Sequence, residues 1–252
     1  MKIFTTMRSL VVCILLLSIS QAEAAATLVQ SKSVAVNTAT ATNTVTWDAS
    51  ATAGNVLVII VGSDDYITSG NRPAGYTFST GMGQEGFLGH YLFWKVAAGG
   101  ETSAQYTLSA SATSSWITAE ISGLDASPYD VSNGQLAGSG EAYTTPAVTP
   151  TSGDRYLIAS MGGSNATLTL TLSTWLNSFI ERHDIGNTLG SGTRDTVGYA
   201  DLAVTANGAT AYSSGATYND AGGNRTGLII AFKVAAGGAA VPSRALLLGV
   251  GP

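Results

Sequence analysis

Histidine, carboxylate and indole side chains are the groups in this chain whose types and spacing could do chemistry, and they are few. The histidines are His90 and His183. His183 lies in the run Glu181-Arg182-His183-Asp184, and at strand spacing Glu181 and His183 face the same way, so they could share a ligand. Such a pair falls short of a zinc centre, which takes roughly three or four ligands. His90 precedes Tyr91, Phe93 and Trp94 and reads as packed against them. Asp64 and Asp65 end the apolar run 56–62, with Asn71 nearby. Adjacent carboxylates at a strand end, with backbone carbonyls, could hold Ca²⁺, which takes about six to eight oxygens. Loop acids are also ordinary turn residues. Asp125 with Asp130, and Asn219 with Asp220, are similar loop candidates, and none has the EF-hand spacing.

Sugar recognition has its own signature, because aromatic faces stack on the apolar CH patches of a ring. In the stretch 115–121, Ile117, Ala119 and Ile121 share one strand face, leaving Trp116, Thr118 and Glu120 on the other. Trp116 is therefore the candidate exposed aromatic and Glu120 the carboxylate beside it. The alternatives are a second packed layer that takes Trp116 and a solvated outer face that carries Glu120. Tyr66, in the loop 64–72, and His183, in the loop 181–192, complete the candidate ligand-binding set. No catalytic residue is assigned, for no Gly-x-Ser-x-Gly elbow is present. A polysaccharide hydrolase would need two positioned carboxylates, with Glu120 and Glu181 the first to test.

These residues sit on a chain that reads as exported. Lys2 and Arg8, the apolar stretch 10–19 and Ala22-Glu23-Ala24 form a leader with a cleavage site, giving a signal peptide over 1–24. The apolar stretch is too short to span a bilayer. Cys13 lies in the leader, so the mature chain has no thiol, disulfide or thiolate metal site. Net charge is −5 for the full chain, and about −6 once Lys2, Arg8 and Glu23 are gone. With no basic run, nucleic-acid binding by phosphate neutralisation is disfavoured, as is an anionic membrane surface. Charged residues are 11% of the chain, against about a quarter in soluble proteins, so Ser, Thr, Asn and Gly must cover the surface.

Helical periodicity is almost absent outside the leader. Short β-rich runs recur, punctuated by Gly, Asn-Gly, Ser-Gly and Pro. Strands are expected near 27–36, 42–47, 56–62, 76–79, 87–96, 104–108 and 115–121, then 143–148, 156–161, 166–172, 177–182, 196–204, 210–218 and 226–234. The continuous apolar runs 56–61 and 228–232 read as central strands. A repeat organises the set. Asn55 matches Asp154 at an offset of 99, and Thr102 matches Thr210 at an offset of 108. Gly99-Gly100 and Asn207-Gly208 are equivalent hairpin turns needing positive φ. The expected fold is an all-β, antiparallel, jelly-roll-like β-sandwich over 25–234, built from two related halves at about 27–124 and 140–234. The stretch 125–150 reads as the connection crossing between them. Residues 235–252 form a linker and an apolar tail, read as a docked terminal strand or an open end; Val241-Pro242 followed by a Leu/Gly stretch also resembles bacterial sorting tails.

The segments GNVLVIIVGS, Gly75-Tyr76-Thr77, YLFWKVAAGGETS, AEISGLD, TPAVTPTSGDRYLIAS and GLIIAFKV resemble a pattern recurrent in exported bacterial proteins and phage virion proteins. The resemblance implies a duplicated jelly-roll-like sandwich, mostly without assigned activity, found near adhesion, tail or carbohydrate-contacting regions. It brings no catalytic set. The functional expectation is a secreted, extracellular or cell-surface protein that binds a glycan, surface or matrix polymer without catalysis. A structural subunit of an extracellular fibre or coat, formed by self-association, is the alternative, and a polysaccharide-directed hydrolase the third. Calcium is the one cofactor with candidate ligands, and no membrane span is expected in the mature chain.

Overall fold

The computed structural model describes residues 25–84, 88–137, 139–188 and 194–236. The leader, the tip of the loop 181–192 and the tail from residue 237 on lie outside the described residues. The first half of the chain forms β1 (Thr27–Thr46), β2 (Val56–Ser63), β3 (Thr77–Gln84), β4 (Leu88–Val96) and β5 (Ser103–Ser122). The second forms β6 (Leu124–Ala137), β7 (Ala142–Thr144), β8 (Gly153–Asn165), β9 (Leu172–Ser173), β10 (Ile180–Gly186), β11 (Arg194–Ala206), β12 (Gly215–Tyr218) and β13 (Asn224–Val234). Among the described residues the one helical element is a short 3₁₀ turn, Ser69–Asn71.

The architecture is the expected all-β antiparallel sandwich. One sheet has the order β1-β5-β2-β4-β3 and the other β10-β11-β8-β13-β6, while β7, β12 and β9 make a small third sheet. Read from β6, the second sheet repeats the connectivity of the first. Packing is also two-fold: β1 faces β10, β5 faces β11, β2 faces β8, β4 faces β13 and β3 faces β6. Each half therefore keeps to its own layer. The chain crosses between layers at Gly123, whose φ of 75° suits a residue without Cβ. The stretch expected to make that crossing instead begins with β6, an edge strand paired to β13. Pro128 is tolerated there because one side of an edge strand needs no ladder hydrogen bond.

Alternation explains the layered core. Val56, Val58 and Ile60 point into the space between the sheets, where they meet Ile117, Ile121, Tyr156, Ile158, Leu228 and Ile230. Leu57, Ile59 and Val61 point the other way, yet they are equally buried. β1 and β5 cover them. Each of these strands has 20 residues, roughly 65 Å if straight. They bend at register shifts between Val36, Thr40 and Thr42 and fold back over the first sheet, laying Val45, Tyr106 and Leu108 on its outer face. In the second half the small sheet does this work, with Leu170, Leu172, Ala216 and Tyr218 packed on Met161. Tyr156 and Ile158 point inward, as Val56 and Val58 do, which is one residue out of step with the Asn55/Asp154 alignment.

Candidate binding cavity

Several candidate residues prove to be structural clamps. Trp116, the candidate exposed aromatic, is only 3% exposed: the alternative of a second packed layer holds, because the folded-back ribbon of β1 and β5 covers that face. Glu120 is 1% exposed. Its carboxylate accepts Gln30 Nε2 at 2.5 Å, the Thr52 N–H at 2.9 Å and Asn55 Nδ2 at 2.5 Å. Burial raises its pKa, but these donors outweigh burial and the net shift is downward. It is a saturated acceptor that ties β1 and the loop before β2 to β5. Glu120 lies opposite Leu57, on the outer face of the first sheet, and Glu181 lies opposite Ala200, on the outer face of the second. Carboxylates on opposite outer faces cannot flank one glycosidic bond.

The remaining candidates are spread through the fold. Asp65 Oδ2 accepts the Ser109 hydroxyl at 2.6 Å and the Ala110 N–H at 2.5 Å, locking one loop to another. The Asp64 N–H donates to Thr113 O at 3.3 Å. Tyr66 packs partly buried against the outer cluster of the first sheet. His183 Nε2 meets Ser31 Oγ at 2.8 Å, joining β10 to β1, and burial lowers its pKa. A register shift between Glu181 and His183 breaks the alternation that would have aimed both at one ligand. Among the described residues no three His, Cys, Asp or Glu side chains gather as metal ligands.

His90 does more than pack against aromatics. It is fully buried between the sheets, with Nε2 at 2.8 Å from Ser160 Oγ and Nδ1 at 2.7 Å from Thr226 Oγ1. Ser160 donates its one hydroxyl proton to Gly198 O at 2.9 Å. It must therefore accept from the His90 Nε2–H, which leaves Nδ1 to accept from Thr226. The ring is neutral, and burial pushes its pKa down to about 3.

An open site lies on the lateral edge where the start of β1 faces the second sheet. A cavity of about 330 Å³ is lined by Ala26, Thr27, Leu28, Tyr156, Arg182, Asp201 and Ala203. Its polar wall is a single built cluster. Arg182 grips Asp201 with both edges of its fork, Nε to Oδ2 at 2.8 Å and Nη2 to Oδ1 at 2.9 Å. Tyr156 and Tyr199 donate to Asp201 Oδ2 at 2.6 and 3.2 Å. Asp201 is 3% exposed in its side chain and Arg182 33%. The Asp201 hydrogen bond holds the Arg182 pKa up, while burial, reinforced by the Asp201 charge, drives the Tyr156 phenol far above its ordinary value. The cluster holds one guanidinium, one carboxylate that accepts four hydrogen bonds and two phenol donors. A carboxylate crowded by donors is a poor general base. A guanidinium fork with N–H groups beyond those on Asp201, an aromatic wall and the apolar wall of Ala26, Leu28 and Ala203 suit recognition of a small polar group.

This site leaves little trace in the order of residues. Arg182 reaches it through the bulge that separates Glu181 from His183. The available signal was Asp201, an acid inside the apolar strand β11. The cavity also ends an aromatic row: Tyr156, Phe232 and Tyr129 are register neighbours across β8, β13 and β6. Tyr129 is 41% exposed and stacks on Trp94 with ring centroids 6.1 Å apart and planes 3° off parallel. No known protein family, curated protein or solved structure matches the chain. Among the described residues no helix is long and apolar enough to cross a membrane.

Proposed function

We propose that this chain is an exported, non-catalytic β-sandwich that binds a glycan or another surface polymer outside the cell. The observation that carries the reading is the lateral cavity, where a guanidinium held in place by Asp201 stands beside Tyr156 and an apolar wall. Hydroxyl-rich ligands want fixed donors next to apolar or aromatic surface. Tyr129, exposed and backed by Trp94, supplies a second flat surface at the same level of the sandwich. The test is a glycan array with pull-down on insoluble polysaccharides, using the mature chain and Arg182→Gln. Binding by the parent and a loss of at least about tenfold in the variant support the reading. A parent blank on every glycan and polymer overturns it.

A structural subunit of a fibre or coat is the second reading, favoured by the open edges. β1, β3, β6 and β10 each end a sheet. β6 runs 14 residues and leaves Leu136 40% exposed beside that edge. Such an edge can accept a strand from a neighbour. Light scattering and electron microscopy of the purified mature chain separate the two readings, since only this one expects ordered polymers.

A further inference from the structure

Strand pairing builds the place of the cavity on both sides of the sandwich, and the two sides are furnished differently. Asp201 of β11 lies beside Ile158 of β8, as Trp94 of β4 lies beside Val58 of β2. Leu28 of β1 lies beside Ile121 of β5, as Tyr129 of β6 lies beside Phe232 of β13. Arg182 is the residue skipped by the register shift in β10, and Ser79 is the one skipped in β3. Trp94 and Tyr129 therefore stand where Asp201 and Leu28 stand across the sandwich. Their rings stack with centroids 6.1 Å apart and occupy that side. At the Arg182 side a carboxylate and an aliphatic side chain replace the aromatic stack, and a cavity of about 330 Å³ is left. That volume is at the small end of ligand pockets and suits a single pyranose residue.

The donors left on Arg182 narrow the ligand. Asp201 takes the Nε–H and an N–H of Nη2. The terminal edge of the fork, Nη1–H beside the second N–H of Nη2, has no protein acceptor among the described residues, and the side chain is 33% exposed at the cavity wall. Two parallel N–H groups on a flat fork match the two oxygens of a carboxylate. A hydroxyl would also need an acceptor for its own proton, and both oxygens of Asp201 are already engaged by Arg182, Tyr156 and Tyr199. Ala26, Leu28 and Ala203 offer apolar surface to the CH groups of a ring. The chain is acidic overall, at −5, but salt screens that field over about 8 Å at physiological strength, so the groups in contact decide.

We propose that the cavity is a subsite for a single uronic acid residue of an acidic polysaccharide, with the sugar carboxylate on the terminal edge of Arg182 and the ring against Ala26, Leu28 and Ala203. This rests on the glycan-binding reading above and names its substrate class. Asp201 is a positioning residue, which holds the fork in place without touching the sugar.

Isothermal titration calorimetry on the mature chain tests it, with oligogalacturonate, oligoglucuronate and oligomannuronate, each beside its methyl ester. At least one acid form should bind saturably. Its ester keeps the ring and loses the charge, and should bind at least about tenfold more weakly. Acetate at the same concentration should not compete, since it lacks the ring. Arg182→Lys keeps the cation without the fork and should weaken binding of the acid form at least about tenfold. Should Arg182→Lys not fold, Ala203→Leu decides: it leaves Arg182 and Asp201 in place, fills the cavity and should abolish binding. Equal binding of acid and ester, acetate competing as well as the oligomer, or unchanged affinity in the variants overturns the proposal. A neutral glycan bound while every uronate is blank overturns it and leaves the wider glycan reading standing, whereas a chain blank on every glycan overturns both.

Discussion

Replacing His90 with glutamine isolates the pH dependence that burial builds into the interior. The imidazole is seated between Ser160 and Thr226, with no carboxylate among its hydrogen-bond partners. Its pKa falls from 6.5 to about 3 because a buried imidazolium loses its water. In this window the unfolded chain binds a proton that the folded chain refuses. Stability from this group is therefore complete above about pH 6.5 and is lost as pH falls toward 3. Each pH unit is worth about 1.4 kcal/mol, so the step from pH 6.5 to 4.5 removes about 3 kcal/mol. Glutamine cannot titrate. At pH 7.5 His90→Gln should be the less stable chain by about 1–3 kcal/mol, since one hydroxyl loses a well-placed partner. At pH 4.5 the gap should shrink by about 3 kcal/mol, closing or reversing. Urea unfolding of both chains, followed by tryptophan fluorescence at pH 7.5, 6.0 and 4.5, measures it, and the carboxylates common to both chains cancel in the difference. A gap that stays constant with pH refutes the reasoning.

Asp184 should behave with the opposite sign. Burial first, then the Glu181 charge, raises its pKa to about 6, so the folded chain holds the extra proton between 3.8 and 6 and stability falls as pH rises through that window. Asp184→Asn can keep the acceptor for the Leu172 N–H and should stabilise the protein at pH 7.5 by about 1–2 kcal/mol, with the gain gone near pH 3.5, as thermal midpoints would show. Gly162→Ala places a Cβ against Thr226 Oγ1 and 2.7 Å from His90 Nδ1 in a packed interior. It should lower stability by about 2–3 kcal/mol, measured by urea unfolding, and an unchanged midpoint would show that the two sheets lie further apart there.

The parts of this fold legible in sequence are those where one strand face or one turn decides the outcome. The runs 56–61 and 228–232 are buried throughout, as unbroken apolar strands should be. Gly99, Gly100 and Gly208 all take positive φ, at 99°, 87° and 77°. Alternation also divided β5 correctly, with Ile117, Ala119 and Ile121 inward and Trp116 and Glu120 outward. It could not show that the outward face is covered, because the cover comes from the bent ends of β1 and β5 themselves. Trp116 and Glu120 therefore stood open to either an exposed site or a packed layer, and the packed layer is what forms. β6 escaped notice because an edge strand carrying Pro128, Ser132 and Gly134 lacks both alternation and an apolar run. The cavity was hidden for a local reason: the bulge before His183 changes where Arg182 points, and a one-residue irregularity leaves no periodic trace.

The proposed function places a surface polymer in the cavity at Arg182 and Asp201. Backbone amide shift mapping of the ¹⁵N-labelled mature chain, titrated with an oligosaccharide selected on the array, tests it most directly. Saturable shifts are expected at Thr27, Leu28, Arg182 and Ala203, which line the cavity. Saturable binding whose shifts leave those residues untouched and gather elsewhere would contradict it.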